Sequence, residues 1–424
     1  MKIAVIGCGY VGLELLEHIT NTHGSKYELI GIDINTNKID LLKKGIDPRT
    51  NKQNQNLTWV YFTESFDILG SVDMTIVCVP TPVAGGNRPD LRPLKQACNY
   101  IRFYGRNGSL VVIESTVAPG TTRDILTPIL NTDQKNEIGI MNSIDGEPIE
   151  PKEFRIAYSP ERTMPGSMGL KHCKLIGYEN EKDFHIINDL YNPVFYYTHG
   201  CSIEVAEAAK IIENTQKDVN IAFLNEMYWY LNSKGIDPTK VWEAMQTRRD
   251  ALPYKPGLVG GHCLPVDPYY LIDNMPEGIS ITSEARIVNE EVPHLLAHKI
   301  LSLAVENKLN MDNLKIGILG YTYLANVNDT RNSKTIELAN ALSDMPNVTV
   351  KCYDYKVDEE TDIELHAYNI VILAVPHKRY ECRGLRQILE YYKKGNGLFV
   401  DIQGVHKEYK DQLEARNIKY WRYN

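Results

Sequence analysis

Paired cysteines are missing from this sequence. Its eight cysteines, at positions 8, 78, 98, 173, 201, 263, 352 and 382, include no CxxC pair and no Cys/His cluster with the spacing of a metal site. That argues against a disulfide framework and structural zinc, and it predicts reduced thiols of a cytoplasmic protein, several set in apolar strands. Positive charge is short as well. The 46 Lys and Arg residues stand against 54 Asp and Glu, a net charge of −8, so no broad basic nucleic-acid face is expected. A local pocket for a small anion is compatible with that balance. No apolar run approaches the ~18 residues a membrane span needs. The chain opens directly on the strand-like Lys2–Gly7, leaving no room for a signal peptide in front. Low-complexity tracts and heptad arrays are absent, and 43% hydrophobic with 24% charged residues is a globular mixture. A length of 424 residues suggests about three compact units.

What the sequence does contain is alternation. Lys2–Gly7, Glu28–Asp33, Trp59–Thr63, Met74–Val79, Ser109–Ser115 and Phe154–Ser159 are short Val/Ile-rich runs of the kind buried parallel strands show. Helical stretches such as Val11–Thr20 and Leu91–Tyr104 lie between them. This predicts a doubly wound parallel α/β sheet. The polar residues 131–153 read as a surface excursion. A long helix is expected over Ser202–Ser233, apolar on most sides in its second half, as helices between domains or subunits are. A Pro/Gly-rich segment (Pro253 to Pro268) and a helix over Ser283–Asn307 follow. A second βα series then begins, with strands expected at Leu314–Gly320, Val348–Asp354, Asn369–Val375 and Gly397–Ile402. The domains expected are 1–201 and 309–424, both Rossmann-like α/β, joined by a central helical domain, 202–308.

Gly7-Cys8-Gly9-Tyr10-Val11-Gly12 is a GxGxxG placed between a strand and a helix. Gly7 permits the tight turn, Gly9 lets the backbone approach a pyrophosphate, and Gly12 allows close helix–strand packing. Asp33 closes the second strand 21 residues after Gly12, where a carboxylate can accept from a ribose diol. No Arg follows it, which favours NAD over NADP. Val79-Pro80-Thr81-Pro82 and Glu114-Ser115-Thr116-Val117 end strands at the carboxyl edge, where open sheets bind ligands. As bare peptides they also read as a stiff exit loop and a helix cap.

Gly260-Gly261-His262-Cys263-Leu264-Pro265-Val266-Asp267-Pro268 is the most distinctive segment. Glycines let a substrate approach Cys263, and a thiol becomes a nucleophile when neighbours lower its pKa. A lone cysteine is otherwise a small buried hydrophobe. His262 is a general base or a packing residue. Lys210 and Asn214 are four apart on the long helix, hence on one face, where they cradle an oxyanion or meet solvent. In Tyr158-Ser159-Pro160-Glu161-Arg162, Glu161 is a candidate for proton transfer or water activation. Arg162 is a candidate for an anionic ligand, or one half of an ordinary ion pair.

Taken together, GxGxxG with Asp33, VPTP, ESTV, SPER, the Lys210–Asn214 helix, GGHCLPVDP, Ala285-Arg286 with Asn289, and Asn328-Asp329-Thr330-Arg331 resemble the UDP-glucose/GDP-mannose dehydrogenase family over nearly the whole chain. The resemblance implies a four-electron oxidation of a nucleotide sugar at C6 with two NAD⁺ used in turn. Cys263 would form a thiohemiacetal and then a thioester that water hydrolyses. Lys210 would stabilise the oxyanion, with Asn214 holding the reacting oxygen. Asp267 would order Lys210 and a water, and Thr116 and Glu161 would position water or act as acid/base. The positions matching the NAD site are Val11, Asp33, Lys38, Thr81, Thr116 and Arg331, beside the three glycines. Tyr254, Gly257 and Gly260 match the nucleotide-sugar site, and the middle helix would build a homodimer. His-Cys-Leu-Pro-Val-Asp-Pro is similar to enzymes acting on UDP-N-acetylhexosamines that feed a surface polysaccharide, whereas the UDP-glucose enzymes usually carry Lys at Val266. One departure stands out. Where the family has Gly-x-Ala-Phe/Tyr-Lys, this chain reads Gly320-Tyr321-Thr322-Tyr323-Leu324. UDP-glucose is the alternative substrate on the loop comparison, and the missing ammonium motivates a second alternative, a weakly catalytic NAD- or nucleotide-sugar-binding protein. A two-electron β-hydroxyacid-type dehydrogenase would not need a glycine-framed cysteine.

Overall fold

The computed structural model describes residues 1–131, 143–144, 147–148, 152–162, 173–275, 280–393 and 396–424. The chain divides into two compact units, Met1–Glu213 with Tyr269–Met275, and Asn214–Pro268 with Pro276–Asn424.

In the first unit, β1 (Lys2–Ile6), β2 (Glu28–Ile32), β3 (Val60–Thr63), β4 (Met74–Val77), β5 (Leu110–Ile113) and β6 (Arg155–Tyr158) are parallel and lie in the order 3-2-1-4-5-6. This is the dinucleotide-binding order, and its switch point lies between β1 and β4. Two further strands extend the sheet. β7 (Cys173–Gly177) runs antiparallel to β6, and β8 (Tyr197–Cys201) runs parallel to β7. Alternate residues of β1 feed opposite faces: Ile3 and Val5 join one core, Ala4 and Ile6 the other. The helix Tyr10–His23 buries Leu13, Leu16 and Ile19 on one of those faces. Most of the surface excursion expected at 131–153 lies outside the described residues; within it Ser143–Ile144 pairs with Glu147–Pro148.

The second unit repeats the plan with five parallel strands. β9 (Leu314–Leu319), β10 (Val348–Tyr353), β11 (Ile370–Leu373), β12 (Gly397–Asp401) and β13 (Ile418–Arg422) lie in the order 2-1-3-4-5, counted within the unit. The switch point falls between β9 and β11. Gly320 after β9 repeats the geometry of Gly7 after β1, at φ +81° and +97°. In both, an added Cβ would strike a carbonyl of the neighbouring crossover, Val375 O at 2.5 Å or Cys78 O at 2.6 Å. The helix Ile203–Ser233 is one rod of 31 residues, and Ile281–Glu306 is continuous through Pro293. Among the described residues, no helix is long and apolar enough to cross a membrane.

Candidate active site

The dinucleotide cradle is built by the first βαβ turn. The Gly7 N–H donates to Ile32 O at 2.8 Å, and a Cβ on Gly12 would lie 2.0 Å from the Gly7 carbonyl oxygen. A Cβ on Gly9 would meet nothing within 4 Å, so this glycine leaves open space at the N-terminus of the helix where a pyrophosphate fits. Val11 stands half-buried in that helix's first turn. Gly12→Ala is therefore expected to abolish NAD binding, read as loss of the NAD-dependent thermal shift.

Asp33, just past β2, is buried and already engaged. Its Oδ2 accepts from the Cys8 N–H at 2.9 Å and from Lys38 Nζ at 2.7 Å, and its Oδ1 accepts from the Asn35 N–H at 2.9 Å. The amide of Cys8 and the side chain of Lys38 thus hold the carboxylate at the strand end, and Oδ1 keeps a lone pair for a ribose hydroxyl. The Cys8 thiol is fully buried and pushed far up by burial, so it is a packing residue. Thr81 lies after β4, where its carbonyl accepts from Tyr270 OH at 2.7 Å. Beside it Ser115 Oγ donates to Val79 O at 2.7 Å, tying the two strand exits together and placing the half-buried Thr116 at the same edge.

Arg162 is spoken for. Its Nε donates to Glu213 Oε2 at 2.9 Å and its Nη1 to Cys173 O at 3.0 Å, so the ion-pair reading describes it, with a partner on the long helix. Its backbone N–H donates to Glu161 Oε1 at 2.8 Å. Lys210, one turn before Asn214 on the same helix, is buried at 6% exposure.

In the second unit the cysteine loop is held from several sides. Gly261 has φ +95°, and a Cβ there would meet the Tyr323 ring at 2.7 Å. A Cβ on Gly260 would meet Asn332 O at 2.8 Å, and Asn332 Nδ2 donates to Gly261 O at 3.0 Å. These glycines are required by the close approach of 320–332. His262 packs edge-on to Tyr323 at 5.4 Å, with Nδ1 3.8 Å from Asp329 Oδ2. The contact with Tyr323 fits the packing reading of this residue. Arg331 grips its own neighbour, Nε to Asp329 Oδ1 at 3.0 Å, with its side chain half exposed.

Cys263 is exposed. Its carbonyl accepts from the N–H groups of Val266 and Asp267, at 3.0 and 2.8 Å, starting the helix Asp267–Ile272. The Asp267 side chain is 1% exposed and accepts from Asn214 Nδ2 at 2.6 Å. An accessible thiol is thereby set on a turn whose acid is joined to the amide of the long helix. Val266 is buried within that turn.

The other half of the unit's site is a cavity of about 150 Å³ at the switch point of the second sheet. Gly257, Gly260, Leu324, Lys334, Val375 and Gln403 are among the residues that line it. Gly257 is fixed there by a residue that motif reading missed: Asn225 accepts from its N–H at 2.8 Å and donates to its carbonyl at 3.1 Å. Tyr254, three residues earlier, is half-buried. Asp354 stands after β10 where Asp33 stands after β2. It is turned inward, accepting from the N–H groups of Tyr321 and Thr322 at 2.7 and 3.0 Å and facing the buried His377 Nε2 at 2.9 Å. The second sheet keeps the geometry of a nucleotide fold without the GxGxxG.

A Rossmann sheet with a dinucleotide cradle, and a second nucleotide-type sheet beside an exposed glycine-framed thiol, define an NAD-dependent oxidoreductase. Family models support this segment by segment, in the order of the chain. The NAD binding domain of the UDP-glucose/GDP-mannose dehydrogenase family matches residues 1–195, its central domain 204–291 and its UDP binding domain 317–408. The chain belongs to the UDP-glucose/GDP-mannose dehydrogenase family and is an NAD-dependent nucleotide-sugar dehydrogenase. It is 34% identical to the protein CapL of Staphylococcus aureus over 99% of each chain. It is 32% identical to the UDP-N-acetyl-D-glucosamine 6-dehydrogenase of Pseudomonas aeruginosa, over 97% of this chain and 99% of that one. Among solved structures, the UDP-D-ManNAc dehydrogenase of Pyrococcus horikoshii superposes with a TM-score of 0.82 at 27% identity, covering 96% of each chain.

Proposed function

We propose that this enzyme oxidises a UDP-N-acetylhexosamine at C6 to the uronic acid through a covalent intermediate on Cys263, supplying a surface-polysaccharide precursor in the cytoplasm. The observation that carries the reading is the cysteine turn: an exposed Cys263 whose carbonyl begins the helix of Asp267, with Asp267 bonded to Asn214 at 2.6 Å. The names of the relatives, acting on UDP-GlcNAc and UDP-ManNAc, support the acetamido class.

Bound NAD⁺ supplies the hydride acceptor for both oxidations. The protein's own groups do the rest. Cys263 Sγ adds to the C6 aldehyde carbon to give a thiohemiacetal, whose oxidation leaves a thioester. Water then adds to the acyl carbon, the C–S bond breaks with its electron pair on Sγ, and the uronate departs. Lys210 is the oxyanion's counter-charge, and Asn214, oriented by Asp267, holds the reacting oxygen. Glu161 and Thr116 handle the water and its proton. The nucleotide end of the substrate occupies the cavity lined by Gly257, Gly260 and Leu324. The test is a panel of UDP-GlcNAc, UDP-GalNAc, UDP-ManNAc, UDP-glucose and GDP-mannose with NADH and product both counted. Two NADH per uronate from one acetamido sugar is expected; turnover of UDP-glucose alone would sink the substrate assignment.

Leu324 lines that cavity, at the position where the family resemblance implies a Lys. Leu324→Lys restores a charge-assisted bond of about 1.5–3 kcal/mol, so KM for the UDP-sugar is expected to fall roughly tenfold or more at unchanged KM for NAD. Val205, Ile212, Phe223 and Tyr230, all between 53% and 55% exposed, fall within about 20° of one line on the long helix. That stripe supports a homodimer. Phe223→Asp is expected to halve the mass seen by light scattering.

A further inference from the structure

Below the strand exits that carry Thr116 and Glu161 lies a buried cation that no motif pointed to. Lys174 is 1% exposed. It reaches this edge because β7 runs against β6, pairing Tyr158 with Gly177; extending that register sets Lys174 opposite Glu161. Its Nζ is 2.8 Å from Glu114 Oε2, donates to Pro160 O at 3.3 Å and stands 3.7 Å from Glu161 Oε2. The ammonium also lies 5.1 Å from the ring centres of both Tyr191 and Phe195. Tyr191 OH donates to the other oxygen of Glu114. Held on all these sides, it is a fixed charge, and one that grips the carbonyl immediately before Glu161. Burial pushes Lys174 down, but Glu114 and Glu161 outweigh it and hold the ammonium protonated.

We propose that Lys174 is a positioning residue for Glu161, its ammonium anchored by Glu114 and Tyr191 so that it sets the place and charge state of the Glu161 carboxylate. The inference rests on the reading of Glu161 as the group that receives the water's proton during thioester hydrolysis. One cation faces two carboxylates, and Glu114 takes the close contact, leaving Glu161 the longer one. Among the described residues, the other ionisable groups facing the cluster are Cys78 after β4, Tyr191 from the helix Glu181–Tyr191, and Arg162, which is itself neutralised by Glu213. Glu161 is thus set near a fixed positive charge without a close ion pair of its own to that charge.

The two partners of this charge give opposite predictions. Lys174→Met leaves Glu161 beside a second carboxylate, so the acidic limb of the pH–rate profile for uronate formation should move up by about one pH unit. Glu114→Gln leaves the ammonium to Glu161 alone, and the limb should move down. Lys174→Arg should restore it, and KM for NAD should change less than about threefold throughout. Shifts of the same sign in Lys174→Met and Glu114→Gln would overturn the assignment. If Lys174→Met does not fold, an unmoved limb in Glu114→Gln overturns it equally. Glu161→Gln with wild-type rate and profile would instead remove the role given to Glu161, a separate failure.

Discussion

Cys263→Ala is expected to lower uronate formation by about 10⁴-fold or more while NAD and UDP-sugar still bind with wild-type affinity. The residue is exposed, and alanine keeps the contacts that its own carbonyl and Gly260 and Gly261 make in the turn. Binding by calorimetry and product by mass spectrometry separate the two quantities. A fully active alanine variant would rule out a covalent path. Cys263→Ser sharpens the test, because a hydroxyl fits the same space and lacks the thiol's nucleophilicity. Accumulated hemiacetal without uronate in that variant would place the block at the second oxidation. Asp267→Asn should damage the same step by another route. It keeps the shape of the acid but offers an amide to the Asn214 amide that now donates to it at 2.6 Å.

The first sheet was legible because its signals are local. A GxGxxG fits only a tight strand–helix turn, and β1, β4 and β5 are apolar, Val/Ile-rich runs buried on both faces. β7 and β8 were not legible. Cys-Lys-Leu-Ile-Gly carries a lysine as its second residue, and Tyr-Thr-His-Gly-Cys is an edge strand with no apolar run. That same lysine, unreadable as a strand residue, is the buried ion at the sheet edge. β13, Ile-Lys-Tyr-Trp-Arg, is likewise an edge strand whose charges mask it. The cysteine loop announced its chemistry through its glycines, yet the reason for those glycines, Tyr323 and Asn332, lies some 60 to 70 positions away. Arg162 seemed available to an anion because Glu213, 51 residues later, is invisible to any local pattern. Gly257 is a similar case, fixed by Asn225 from the long helix.

The largest stability effect is expected where long-range contacts converge on a buried charge pair. Arg286 and Asp218 are 2.6 Å apart at 2% and 0% side-chain exposure. Asn289 Nδ2 donates to the same Asp218 oxygen at 2.8 Å, and Asn225 Nδ2 donates to Asn289 Oδ1 at 2.8 Å. Asn225 in turn holds both backbone groups of Gly257, and Tyr423 OH donates to its Oδ1 at 2.9 Å. Asp218→Ala takes the close carboxylate from a guanidinium that is itself buried, a loss of about 3–5 kcal/mol, or roughly 5–10 °C in Tm. The double variant Asp218→Leu, Arg286→Met should recover much of that, because removing both charges costs far less than removing one. Kinetics then separate stability from positioning. Asn225→Ala leaves the ion pair intact but frees Gly257 at the cavity wall, so KM for the UDP-sugar should rise at constant kcat and constant KM for NAD. A Tm loss in Asn225→Ala with no change in KM would make the chain from Asp218 to Gly257 a support of the fold alone. A rise in KM well below the melting temperature would make it the part of the fold that shapes the substrate cavity.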